Sequence, residues 1–197
     1  MCKNSLIMKK AILFLSVFFY LSTLSVFAQM DTIWFDSNWK KTTKNNASYY
    51  RCHCVKKANG YWFTDHYLSG AIQMEGLSLE KGNEVFQGPV KWYFENGNVF
   101  QVVNYKNGIL FGDRSVYFEN GKLKSETTYK NGKKDGLWKS YFESGQLEET
   151  GNYERGEKEG LWKIYCENGK LKEEGKYVFD RKVDVWKTFY YDGTDQK

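Results

Sequence analysis

Two groups of residues have the types and spacing that chemistry needs. The first is Cys52-His53-Cys54, with His66 downstream. Thiolates and imidazoles are the usual zinc ligands, but structural sites separate paired cysteines by two to four residues. Here one residue separates them. In a strand, alternation puts Cys52 and Cys54 on one face and His53 on the other. Beyond residue 28 the cysteines are Cys52, Cys54 and Cys166, an odd number that gives no disulfide framework. The group reads as part of a half-buried strand; no metal site and no cofactor are expected.

The second group is Glu95, Glu119, Glu143 and Glu167, which recur every 24 residues. If each period contributes two strands, these carboxylates stand roughly 10 Å apart. That is close to the carboxyl separation of inverting glycosidases. Catalytic carboxylates, however, need different surroundings so that one holds a proton while the other does not. Identical repeated carboxylates have no such difference, so the column reads as turn and cross-strand chemistry. The sequence contains no G-x-S-x-G, no H-E-x-x-H and no phosphate-binding loop, and its histidines are His53 and His66 alone. No catalytic residue is expected.

The elements that carry these residues repeat. Gly88, Gly112, Gly136 and Gly160 are spaced by 24, and Asp184 continues the series. Parallel columns are Tyr93, Tyr117, Tyr141, Tyr165 and Phe189; Gly97, Gly121, Gly145, Gly169 and Gly193; and Tyr105, Tyr129, Tyr153 and Tyr177. A fixed period of this size marks a repeat architecture. Abundant aromatics, frequent Gly and one Pro favour strands joined by Gly turns. The expected fold is all-β: an elongated antiparallel meander of 24-residue hairpins.

Each period reads as two strands and two turns. Asn96-Gly97, Asn120-Gly121 and Asn168-Gly169 predict two-residue type I′ turns, with Ser144-Gly145 and Asp192-Gly193 in the same place. Segments such as Lys130–Gly136 read as looser Gly turns. A two-residue turn sets Glu143 opposite Gln146, Phe142 opposite Leu147, Trp138 opposite Gly151, Trp162 opposite Gly175 and Lys163 opposite Glu174. Large rings then cover bare backbone. Trp, Phe, Leu and Gly gather on one face, and Lys, Glu and the repeated Tyr on the other. The Trp138–Trp162–Trp186 row reads as core. Tyr93, Tyr117, Tyr141 and Tyr165 read as a binding strip.

The unit Gly-Leu-Trp-Lys-x-Tyr-x-Glu-(Asn/Ser)-Gly-x-Leu-x-Glu, at Gly136–Glu149 and Gly160–Glu173, resembles the MORN-repeat variant found in bacterial antitoxins of the YwqK family. The resemblance covers about residues 64–193. It implies antiparallel hairpin repeats, a binding or scaffolding role without catalysis, and a protein partner. MORN repeats are also linked to membrane lipids.

The ends complete the organisation. Lys9-Lys10, the apolar run Ala11–Phe27 and Val26-Phe27-Ala28 have the form of a secretory signal peptide over residues 1–28. Its removal takes three lysines and no acid, leaving 26 basic and 24 acidic residues, a net charge of +2. That balance gives no basic stripe for nucleic acid and little pull toward anionic lipid. Residues 29–63 fall outside the period and read as an N-terminal β cap. Residues 64–87 read as a degenerate repeat, 88–193 as regular repeats with the last truncated, and 194–197 as a tail.

Asp184–Tyr191 is expected to be an open edge strand, with Trp186 lacking the Gly partner of Trp138 and Trp162. Trp186 and Phe189 are its candidate binding residues. Open edges recruit strands, so a protein partner or a second copy is expected to add there. The expected function is an exported, non-enzymatic interaction or scaffold protein in the periplasm, at the cell surface or outside the cell. The alternatives are an antitoxin-like inhibitor of a protein partner, or an envelope- or glycan-binding module using the aromatic rows.

Overall fold

A computed structural model describes residues 32–52 and 54–195. The expected signal peptide, residues 29–31 of the cap, His53 and the last two residues of the tail lie outside the described residues. Sixteen strands follow in chain order. The first four are β1 (Ile33–Phe35), β2 (Lys41–Thr42), β3 (Tyr49–Arg51) and β4 (Val55–Lys57). Next come β5 (Gly60–Tyr67), β6 (Ile72–Ser78), β7 (Gly88–Tyr93), β8 (Val99–Lys106), β9 (Ile109–Tyr117) and β10 (Leu123–Lys130). The last are β11 (Lys133–Lys134), β12 (Gly136–Tyr141), β13 (Leu147–Glu154), β14 (Glu157–Tyr165), β15 (Leu171–Val178) and β16 (Arg181–Thr188). The described residues contain no α-helix; one 3-10 turn spans Lys44–Asn46.

All strands join one open antiparallel sheet. From β16 to β5 it is a meander in sequence order, with β11 attached to β10; β3, β1 and β2 then extend it, and β4 pairs with β5. A single sheet of this kind buries little. The buried hydrophobic side chains are Phe35, Phe63, Met74, Phe86, Val90, Val103 and Trp162, and most lie toward the N-terminal end.

The turns exchange the roles that the dipeptides suggest. At Ser144-Gly145, the Gly145 N–H donates to the Phe142 carbonyl at 2.8 Å and the Phe142 N–H donates to the Gln146 carbonyl at 2.9 Å. Gly145 has φ +98°, whereas Ser144 is not left-handed. This is a three-residue loop closed by a Gly bulge, not the expected type I′ turn. Asn or Asp in the Ser144 place closes the loop by accepting the backbone N–H two residues on: Asn120 from Lys122 at 3.0 Å and Asn168 from Lys170 at 3.0 Å.

The type I′ geometry occurs instead at the turns that read as loose. Asn131 and Gly132 have φ +51° and +80°, and Lys130 pairs directly with Lys133. Asn107-Gly108, Arg155-Gly156 and Phe179-Asp180 do the same. Asn-Gly satisfies both turn types, so the dipeptide does not choose between them.

The longer loop costs one residue of register, and a second irregularity restores it. Tyr141 pairs with Leu147, while Ser140 pairs with Glu149, so Glu148 is bulged. Expected pairs Phe142–Leu147 and Glu143–Gln146 are therefore absent. The two offsets cancel, and Trp138 pairs with Gly151, as Trp162 does with Gly175 and Lys163 with Glu174.

The hairpin β5–β6 has the same loop, with Gly70 at φ +91° and the Tyr67 N–H donating to Ala71 at 2.9 Å. Its first strand begins at Gly60, within the expected cap. A longer connection, 79–87, separates it from β7. Arg51 ties this region together. Its guanidinium lies between the Phe35 and Phe63 rings, 5.4 and 4.8 Å from their centroids. It donates to both carboxylate oxygens of fully buried Asp65, at 2.5 and 2.7 Å, and to Glu84 in the connection at 2.7 Å.

Candidate interaction surfaces

On one face of the C-terminal repeats, tryptophans and tyrosines alternate across the strands. Trp138, Tyr153, Trp162, Tyr177 and Trp186 meet edge to face, with successive centroids 6.0, 5.2, 5.8 and 5.0 Å apart. This geometry sets the positive ring edge against the negative ring face. Tyr153 and Tyr177 thus stand on the Trp face, whereas Tyr141 and Tyr165, of the column expected to oppose it, lie on the other face of β12 and β14. Each Trp also carries a lysine over its ring: Lys134 at 4.1 Å, Lys158 at 3.9 Å and Lys182 at 3.8 Å. Carboxylates complete the row, with Lys158 bound to Glu149 at 2.8 Å and Lys182 to Glu173 at 3.1 Å. The expected division into an apolar face and a charged face therefore fails: lysine stems cover the rings and keep their heads polar.

Glycine makes room for this ladder, but across a different boundary from the one the hairpin suggests. A methyl group built on Gly151 would overlap the Trp162 indole of the next hairpin. A methyl on Gly175 would overlap Trp186 in the same way. Trp186 therefore has Gly175 of the preceding hairpin beneath it, while among the described residues no following strand supplies the cross-strand Gly that Trp138 and Trp162 have. Its indole N–H donates to the Lys176 carbonyl at 3.2 Å.

Tyr93, Tyr117, Tyr141 and Tyr165 are half-buried. The Tyr93 hydroxyl donates to Glu75 at 2.6 Å and the Tyr141 hydroxyl to Glu126 at 2.8 Å. Burial, then the adjacent carboxylate, pushes both hydroxyls up to about 12. On the same face as Tyr141 and Tyr165 lies an apolar row: Leu137, Leu161 and Val185 are 53, 52 and 88 % exposed. The Glu column takes part in turn chemistry: the Asn96 and Asn120 side-chain amides donate to Glu119 and Glu143 at 3.3 and 3.0 Å.

The terminal strand β16 begins and ends three residues earlier than the expected Asp184–Tyr191. Among the described residues it pairs with β15 alone. The Phe189 N–H donates to the Lys172 carbonyl at 3.0 Å, and Phe189 bridges to Asp195 beyond the turn that Gly193 closes. Gly97, Gly121, Gly145 and Gly169 close the corresponding turns at φ +88°, +83°, +98° and +80°. Cys52 is exposed and Cys54 half-buried, both as free thiols. Among the described residues no three His, Cys, Asp or Glu side chains are grouped to hold a metal ion. The lysine column 134, 158 and 182 was visible in the 24-residue period, yet its place over the rings follows only from the turn geometry.

Four segments match the model of the MORN repeat variant: 86–107, 112–131, 134–155 and 158–178. Residues 86–178 carry four MORN-variant repeats. Each matched segment covers a pair of neighbouring strands in the meander, so the MORN period and the hairpin period coincide. No curated protein matches the chain. MORN repeats are generally modules of protein or membrane interaction and are generally non-enzymatic.

Proposed function

We propose that this chain is an exported, non-enzymatic interaction or scaffold module that engages a protein partner. The exposed row Leu137, Leu161 and Val185 carries this reading. A lone exposed leucine is ordinary, but a regular exposed apolar row on a sheet offers a partner area to bury. The edge of β16 supplies a second element, because its outer backbone groups suit strand addition. Export rests on the form of residues 1–28, and an antitoxin-like inhibitor is one kind of module the same surfaces would serve.

Affinity capture from envelope extract tests the proposal, comparing the wild-type chain with Leu137→Glu/Leu161→Glu. A protein held by the wild type and lost by the double variant supports docking on this face. Capture by neither chain argues against a protein partner. Capture by both moves the contact to the β16 edge, for which deletion of 184–197 is the next variant.

A further inference from the structure

The repeated ladder contains its own control, because one repeat lacks a carboxylate that the two repeats after it possess, as Glu149 and Glu173. In the repeat built from β12 and β13, Glu149 bridges two donors: Oε1 accepts from Lys158 at 2.8 Å and Oε2 accepts from the Trp138 indole at 3.2 Å. Twenty-four residues earlier the corresponding positions are Ser125, Lys134 and Arg114. The carboxylate has become a hydroxymethyl group, while one cation is kept and the indole is replaced by a second cation.

Nothing in the described residues replaces the missing charge. Among the described residues no carboxylate lies within ion-pair distance of Arg114 or Lys134. Arg114 donates only to the neutral amide oxygen of Gln101, at 3.3 and 2.9 Å. Lys134 lies over the Trp138 and Tyr153 rings, at 4.1 and 4.5 Å. Burial lowers its pKa, and Arg114 and Lys158 lower it further, against a smaller opposing pull from Glu149 and Asp180. Thr127 pairs with Arg114 in the same cross-strand row; it is 5 % exposed and its hydroxyl has no hydrogen-bond partner. A buried hydroxyl without a partner is costly and uncommon.

We propose that Arg114, Lys134 and Ser125 form a receptor site for a carboxylate presented by an acidic peptide segment. The assignment rests on the interaction reading above and names the partner's chemistry. The next repeat shows that a glutamate carboxylate fits between these positions. The Nε and Nη2 donors of Arg114 rest on Gln101, a neutral acceptor that an incoming carboxylate would replace in the two-point geometry guanidinium groups favour. Lys134 is partly desolvated, so its attraction to an incoming anion is less screened than at an exposed lysine. The open sheet face lets an extended peptide reach the site from solution.

The test titrates the full chain with blocked tetraglutamate, following backbone amide and arginine Nε resonances. Saturable shifts centred on Ser125, Thr127, Lys134 and Arg114 Nε are expected, with none from blocked tetraglutamine. Ser125→Glu restores the carboxylate of the neighbouring repeat, so it is compatible with folding and fills the site from within. Ser125→Glu and Lys134→Gln should each weaken binding at least tenfold, whereas Lys133→Gln should not. Unchanged binding by Ser125→Glu, or shifts spread evenly over all surface lysines, overturns the site. Tighter binding of inorganic phosphate at the same resonances overturns the carboxylate assignment. A partner captured equally by wild type and Ser125→Glu leaves the interaction reading standing and removes this site from it.

Discussion

The Trp162 indole occupies the space that a side chain on Gly151 would need, although Gly151 is the cross-strand partner of Trp138. The glycine therefore serves the boundary between hairpins rather than the hairpin that contains it. Gly151→Ala should destabilise the array by about 1–3 kcal/mol, the usual cost of forcing atoms into filled space. Gly82→Ala, where nothing lies within 4 Å and φ is not left-handed, should be close to neutral. Urea denaturation followed by tryptophan fluorescence compares the two. Equal midpoints would show that the ring does not need the bare backbone.

Turn closure gives a different expectation. Gly145 has open space around its Cβ position, so any loss on substitution reports backbone conformation alone. At φ +98° an alanine should cost about 1–2 kcal/mol. The same denaturation midpoint measures it. A neutral result would mean that the loop closes without a left-handed residue.

Asp65 and Arg51 form the buried pair that ties β3 and β5 to the 79–87 connection through Glu84. Asp65→Ala leaves a buried guanidinium with only Glu84, and should cost about 3–5 kcal/mol. Arg51→Met/Asp65→Ala should recover part of that loss, because no unpaired charge remains. Chemical denaturation of both variants gives the comparison; a double variant no better than the single one refutes it.

The Tyr93 and Tyr141 hydroxyls hold their protons up to about 12, above the ordinary value near 10. A folded pKa above the unfolded one means that the folded chain binds the proton more tightly. Their contribution to stability is thus complete below pH 10 and falls as pH rises through 12. Ultraviolet titration of phenolate should show two late-ionising tyrosines missing from Tyr93→Phe/Tyr141→Phe. Tyrosines that all ionise together near pH 10 would contradict the hydrogen bonds to Glu75 and Glu126.

Sequence by itself determined the period, the strand content and much of the pairing. Twenty-four-residue columns of Gly, Tyr and Trp give two strands and two turns per period, and Trp138 falls opposite Gly151 even though the expected two-residue turn does not form, because the longer loop and the bulge at Glu148 cancel. These relations are local: they depend on residues within one hairpin and on the period of two along a strand. Tertiary structure decided which turn takes the type I′ form, because Asn-Gly fits both geometries and the bulge at Glu148 supplies the missing offset. It also decided that Tyr153 and Tyr177 join the Trp face and that Trp162 and Trp186 lie over the glycines of preceding hairpins. Contacts between successive hairpins depend on bulges that no dipeptide announces, and so the carboxylate missing beside Arg114 and Lys134 becomes visible only when neighbouring repeats are compared in three dimensions.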